Sequence, residues 1–148
     1  MGIWDWALRA YGRPGVPEAC LRLQDGFGQN TDLLLWAVWA ETADETLLAQ
    51  AAEVTRKWET TALIPLRDVR RALKAPVAPV HEEARERLRE DVKAAELHAE
   101  RVLLETLAGL SGEAKGGAHA LDALRAAAAA WKSPAPDTEL AALAAALG

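Results

Sequence analysis

Apolar residues recur at helical spacing along nearly the whole chain, and no stretch alternates with the period of two that a half-buried strand needs. Trp4, Leu8 and Tyr11 predict a short first helix that stops around Gly12–Gly15. Pro17 suits a first helical turn, where its missing N–H has no intrahelical partner. Val16, Cys20, Leu23 and Phe27 then form one stripe, with Gly28 placed to cap its end. Asn30 or Thr31 can cap a third helix, and Asp32 favours its positive end. The run Leu33-Leu34-Leu35-Trp36-Ala37-Val38-Trp39 is apolar all round, which predicts a helix through the middle of the fold. Asp44 can cap a fourth helix with the stripe Leu48, Ala51, Thr55, Trp58, Ala62, Leu66, Val69 and Leu73. That stripe crosses Pro65, and proline inside a helix costs about 3 kcal/mol, so a kink or break is predicted near Thr61–Pro65.

After the turn Ala75-Pro76-Val77-Ala78-Pro79 comes a long charged helix, about 81–110, with the seam Leu88, Val92, Ala95, Ala99, Val102 and Thr106. The 4-3-4-3-4 spacing is that of a short coiled coil. A helix of that length measures about 45 Å, whereas a compact domain of this size is about 38 Å across. It therefore spans the molecule or projects from it, as one arm of a hairpin with the fourth helix. Beyond the loop Ser111–Gly117, two Ala-rich helices carry the stripes Leu121, Leu124, Ala128, Trp131 and Leu140, Leu143, Leu147. The fold class is all-α: a compact helical bundle with a long charged helix and an Ala-rich helical tail. Residues 1–110 read as one domain with its core in 1–74, and 111–148 as a two-helix tail, packed on it or loosely attached.

Composition narrows the function classes. The 148 residues carry a net charge of -5 with no basic segment, and general nucleic-acid binding needs the opposite balance. A single cysteine, Cys20, rules out an internal disulfide and fits a reducing compartment. The N-terminus has no secretion-signal pattern. The longest apolar run, Leu33–Ala40, is eight residues, against roughly 20 for a membrane span. A cytoplasmic location is expected.

Candidate chemistry is sparse. His81, His98 and His119 are scattered, and none follows a glutamate at the spacing of a carboxylate-bridged metal site, so no metal site is predicted. Ser111 and Ser133 lie in loops without a nucleophile elbow, and Cys20 falls on an apolar stripe, where it behaves as a small hydrophobe. No catalytic residue and no cofactor is predicted. Arg67, Arg70, Arg71 and Lys74 share one helical face able to hold an anion. In the proposed hairpin, Glu82, Glu83, Glu86 and Glu90 lie opposite and partly neutralise it. Five of six tryptophans fall within the first 58 residues, and buried indoles need partners for their N–H. Asp5, Gln24, Asp25, Gln29, Asn30 and Asp32 supply candidates nearby. Trp4 and Trp6, about 200° apart on a helix, must cover different surfaces.

The motifs Trp4-Asp5-Trp6-Ala7-Leu8, Arg13-Pro14-Gly15-Val16, Glu18-Ala19-Cys20-Leu21, Leu23-Gln24-Asp25, Gly28-Gln29-Asn30 and Leu33-Leu34-Leu35-Trp36, with Tyr11, Trp39, Trp58, Pro65-Leu66-Arg67, Arg70-Arg71, Leu73 and Lys74, resemble a family of small proteobacterial helical proteins, domain of unknown function 2390. The similarity covers roughly residues 3–74 and none is apparent beyond about residue 80. It implies a bacterial, cytosolic protein and carries no catalytic residue over.

Three functional expectations follow. The leading one is a non-enzymatic interaction or adaptor protein that binds a protein partner, or itself, through the 81–110 helix. The second is a small-molecule binder or enzyme with a pocket among Trp4, Asp5, Trp6, Gln24, Asp25, Gln29, Asn30 and Trp36, since aromatic walls with convergent polar groups are how such sites are built. The third is an anion or nucleic-acid site at Arg67, Arg70, Arg71 and Lys74.

Overall fold

Helix caps read from the sequence set the element boundaries of the first half. The Asn30 side chain accepts the Leu33 amide at 2.9 Å, and that of Asp44 accepts the Leu47 amide at 3.0 Å, each satisfying a helix-end donor. Gly28 adopts a left-handed conformation, φ 63°. The chain reverses there, and the Gln29 amide reaches back to the Leu23 carbonyl at 3.0 Å. In the computed structural model, which describes residues 1–148, the elements are α1 (Ile3–Tyr11), α2 (Val16–Phe27), α3 (Thr31–Ala40), α4 (Glu45–Trp58), a π-helical turn (Glu59–Leu63), α5 (Ile64–Ala72), α6 (Glu82–Ser111), α7 (Ala120–Trp131) and α8 (Asp137–Leu147). There is no strand.

The apolar helix α3 is the axis of the molecule. Every residue from Thr31 to Ala37 is buried, with α6 and α7 as its main neighbours. Trp36, wholly buried, donates its indole N–H to Ser111 Oγ at 3.2 Å. The other partnered indoles also reach distant segments: Trp58 donates to the Ala99 carbonyl at 2.8 Å, and Trp131 to that of Gly28 at 2.8 Å. None of the amides and carboxylates expected as indole partners plays that role; one hydroxyl and two backbone carbonyls take it.

The predicted disturbance around Pro65 is a π-turn rather than a stop. Glu59–Leu63 widens the helix by one residue per turn, and the Ile64 amide bonds to Glu59, five residues back. The chain thus passes Pro65 without ending, and the extra residue changes which side chains of α4 and α5 face inward.

Two predicted stripes are rotated. In α1 the buried residues are Ile3, Ala7 and Ala10, while Leu8 and Tyr11 are exposed; small residues let α1 lie close against its neighbours. In α6 the inward face runs through Arg85, Ala99, Leu103, Leu104 and Leu107. Of the predicted seam, Leu88, Ala95, Val102 and Thr106 face solvent. The amino-terminal half of α6 is held to α5 by polar contacts: the buried Arg85 guanidinium caps the Leu73 carbonyl, and Arg70 pairs with Glu96 at 2.6 Å.

The last two helices belong to the same core. Ala123, Leu124, Ala127, Ala128, Leu140 and Leu143 join the hydrophobic cluster that includes Leu23, Trp36 and Leu48. α7 lies against α3 and α4, and α8 against α2. Alanine faces permit that close approach.

Candidate functional site

At the amino-terminal end of α3 the core gives way to a polar cavity of about 140 Å³, room for roughly five water molecules. Four segments meet there. The α2–α3 turn contributes Gln29, Asn30 and Asp32; the π-turn brings Glu59; α5 brings Arg67; and α6 brings Glu100. Gln24 and Gly28 complete the rim, and Leu63 is the one apolar wall residue.

The groups differ in how well they are satisfied. Asn30 uses both ends of its amide, capping α3 and donating from Nδ2 to Glu59 Oε1 at 3.0 Å. Gln29 donates Nε2 to the Ser133 carbonyl at 2.6 Å, while its buried Oε1 has no partner. Asp32 is the outlier. The residue is only 6% exposed, and its carboxylate accepts no hydrogen bond and forms no ion pair. Burial, then the nearby Glu100 and Glu59, push its carboxyl well above the ordinary aspartate range, with Arg67 pulling the other way. Glu100 is raised too, by burial and by Glu96, again opposed by Arg67. Arg67 makes no contact ion pair with either, so its attraction acts across the cavity.

Behind Asp32 lie Cys20 and Tyr11. Burial pushes the Cys20 thiol up to about 11 and raises the phenol of Tyr11, whose hydroxyl end is enclosed although the residue is otherwise exposed; both stay neutral, so neither adds a negative charge near Asp32. Two carboxyls beside an open cavity are thus held above their normal range and keep their protons to higher pH than free acids do. No three His, Cys, Asp or Glu side chains converge as metal ligands.

The rim is braced by the second half of the chain. Ser133 Oγ donates to the Phe27 carbonyl at 2.6 Å, and Trp131 to Gly28. Arg56 stacks on Trp131, 4.8 Å from the ring centroid, and donates to its carbonyl at 3.1 Å. The turn carrying Gln29 and Asn30 is thus fixed between α2 and α7.

The residues expected to share one pocket are dispersed. Gln24, Gln29 and Asn30 line the cavity, Asp25 is exposed on α2, and Trp36 is sealed in the core. Trp6 packs against the core edge. Trp4 and Asp5 lie on a second, broader groove of about 780 Å³ with Trp39, Arg101 and Lys115. There the rings are already covered: Arg101 lies over Trp4, and Lys115 over Trp39 at 3.1 Å from its centroid. The larger groove therefore has no unsatisfied group comparable to Asp32.

The predicted basic face is also divided. Arg67 faces the cavity and Arg70 is paired with Glu96, leaving Arg71 and Lys74 exposed. The neutralising glutamate is Glu96, one helical stretch beyond those expected, because Glu82 and Glu86 are engaged by Arg85 and Glu90 by Lys93. Glu59 and Glu100 escaped the sequence reading. They stand 41 residues apart, and only the meeting of the π-turn with α6 joins them.

The model of the family described as Protein of unknown function (DUF2390) matches residues 2–107. The chain belongs to that family. The match runs past the expected limit near residue 74 and takes in most of α6, so three of the four segments around Asp32, and Glu100 on the fourth, all lie inside the family region. No curated protein and no solved structure matches the chain. No helix is long and apolar enough to cross a membrane.

Proposed function

We propose that this protein binds a small polar molecule in the cavity at the amino-terminal end of α3. The observation that carries the reading is Asp32, an acid only 6% exposed that opens toward the cavity and receives no hydrogen-bond donor from the fold. Burying an ionisable group without a partner costs several kcal/mol, and a folded chain under no other demand has simpler residues for that position. A guest carrying hydrogen-bond donors supplies what the wall lacks. Asn30, fixed by its cap and by Glu59, and Gln29, anchored by Ser133, form a rigid edge to meet it. Native mass spectrometry of the purified chain tests this directly. A co-purified small molecule lost in Asp32→Asn supports the reading; a bare chain that no polar metabolite stabilises against heat ends it. The setting we propose is the bacterial cytoplasm.

A second reading is favoured by α6. Leu88, Ala95, Val102 and Thr106 form an exposed stripe, and Val102 and Thr106 continue into an apolar groove of about 350 Å³ with Val54 and Trp58. This surface suits a non-enzymatic role in which α6 contacts a helical partner or a second copy. Light scattering over a wide concentration range checks the second copy: concentration-dependent dimers abolished by Leu88→Glu with Val102→Glu support it, and a monomer throughout removes it.

A further inference from the structure

The charge arrangement of the cavity says what kind of molecule fits. Three carboxyls, Asp32, Glu59 and Glu100, face one guanidinium, Arg67. Only Glu59 has a donor, the neutral amide of Asn30. An anionic guest would meet Arg67 but also all three acids. An apolar guest would leave Asp32, Glu100 and Arg67 dry and unpaired. A bare metal ion needs several oxygens gathered at about 2.0–2.6 Å, and no such group of ligands converges here. What remains is a cation whose charge is spread over several N–H donors, able to reach acids that are apart from one another.

We propose that the occupant is a small organic cation, a primary amine or a guanidine, held through its N–H groups by Asp32 and Glu100. This rests on the reading of the cavity as a binding site and narrows it. Binding has a protonic consequence. Asp32 is faced by Tyr11 from α1, Cys20 from α2, Glu59 from the π-turn, Arg67 from α5 and Glu100 from α6, with Glu96 beside Glu100. In the empty site burial favours the protonated acids. The arriving ammonium or guanidinium keeps its own protons and favours the carboxylates, so a carboxyl proton leaves to the buffer. Binding of a carboxylate guest would not release one.

The test is titration calorimetry on the full chain at neutral pH, repeated in two buffers with different heats of ionisation. The probes are butane-1,4-diamine and butylguanidine, with succinate as the anionic control. The expected result is saturable binding of a cationic probe, with any buffer dependence in the direction of proton release, and no binding of succinate. Asp32→Asn and Glu100→Gln should each weaken binding about tenfold or more, the scale of a lost charge-assisted hydrogen bond. Glu105→Gln, an acid on the same helix that pairs with Arg101 at 2.8 Å away from the cavity, should leave it unchanged. Circular dichroism establishes that each variant is folded, and the two cavity variants check one another. Succinate binding without the cations overturns the cation proposal while keeping the cavity as a site. Binding of cations unaffected by either cavity variant also overturns it. If no probe binds and native mass spectrometry finds no guest, both this proposal and the binding reading fall.

Discussion

The two ends of α3 bury polar groups in opposite ways. Near its carboxyl-terminal half, Trp36 is fully enclosed and its indole N–H is satisfied by Ser111 from the last turn of α6. At the other end, four residues earlier, Asp32 is almost as enclosed and has no donor. Both lie on one helix in one core, so the difference cannot be laid to poor packing of a region. Thr55, also buried in this core, likewise has a partner, the Ala51 carbonyl at 2.8 Å. Asp32 is left open toward a cavity, the difference on which the proposed binding site rests.

Substitutions on the satisfied end should show how much the scaffold depends on it. Trp36→Ala removes the largest wholly buried side chain and should destabilise by about 3–5 kcal/mol, measured by urea unfolding. Gly116→Ala comes next. A Cβ there would sit 2.5 Å from the Glu41 carbonyl oxygen, in the loop whose Gly116 amide bonds to Ala40 at 3.0 Å, and overpacking of this kind costs about 1–3 kcal/mol. Ser111→Ala leaves the Trp36 indole without its acceptor, a loss of about 1–2 kcal/mol read from the shift in the unfolding midpoint. The exposed pair of Arg101 and Glu105 marks the low end: Glu105→Ala should change stability by less than about 0.5 kcal/mol. A Ser111→Ala effect as small as that of Glu105→Ala would erase the contrast between the ends of α3.

Much of the scaffold is readable along the chain because its signals are local. The caps at Asn30 and Asp44, the glycine turn at Gly28, the all-round apolar run of α3 and the limits of α6 each depend on residues within a few positions. The rotation of α1 and α6 is not readable in this way. Leu8 and Leu88 look like core residues, yet both are exposed, because the choice of face is made by the shapes of helices that arrive later in the chain. The alanine faces of α7 give no hint that this helix lies against α3 rather than hanging from the bundle. The site is split along the same line. Gln24, Gln29 and Asn30 are recognisable as polar residues at a helix end, but Arg67 looks like part of a basic face. Glu59 and Glu100 look like ordinary surface acids until a π-turn and a distant helix bring them to Asp32.

The claim on which everything turns is that the Asp32 carboxyl is largely buried with no hydrogen-bond donor from the fold. Its proton is held more tightly in the folded chain than in the unfolded one. The folded state therefore gains most below the ordinary aspartate value of 3.8 and loses that gain as pH rises toward the elevated folded value. Glu100 adds to the same trend from its ordinary value of 4.5 upward. Urea unfolding of the ligand-free chain and of Asp32→Asn, across pH 4 to 8, measures it. The account predicts that Asp32→Asn flattens the decline in stability with rising pH and is the more stable protein at the upper end, by about 1–3 kcal/mol. Parallel curves, or a variant that is less stable at every pH, would mean that Asp32 is already satisfied by the fold and would contradict it.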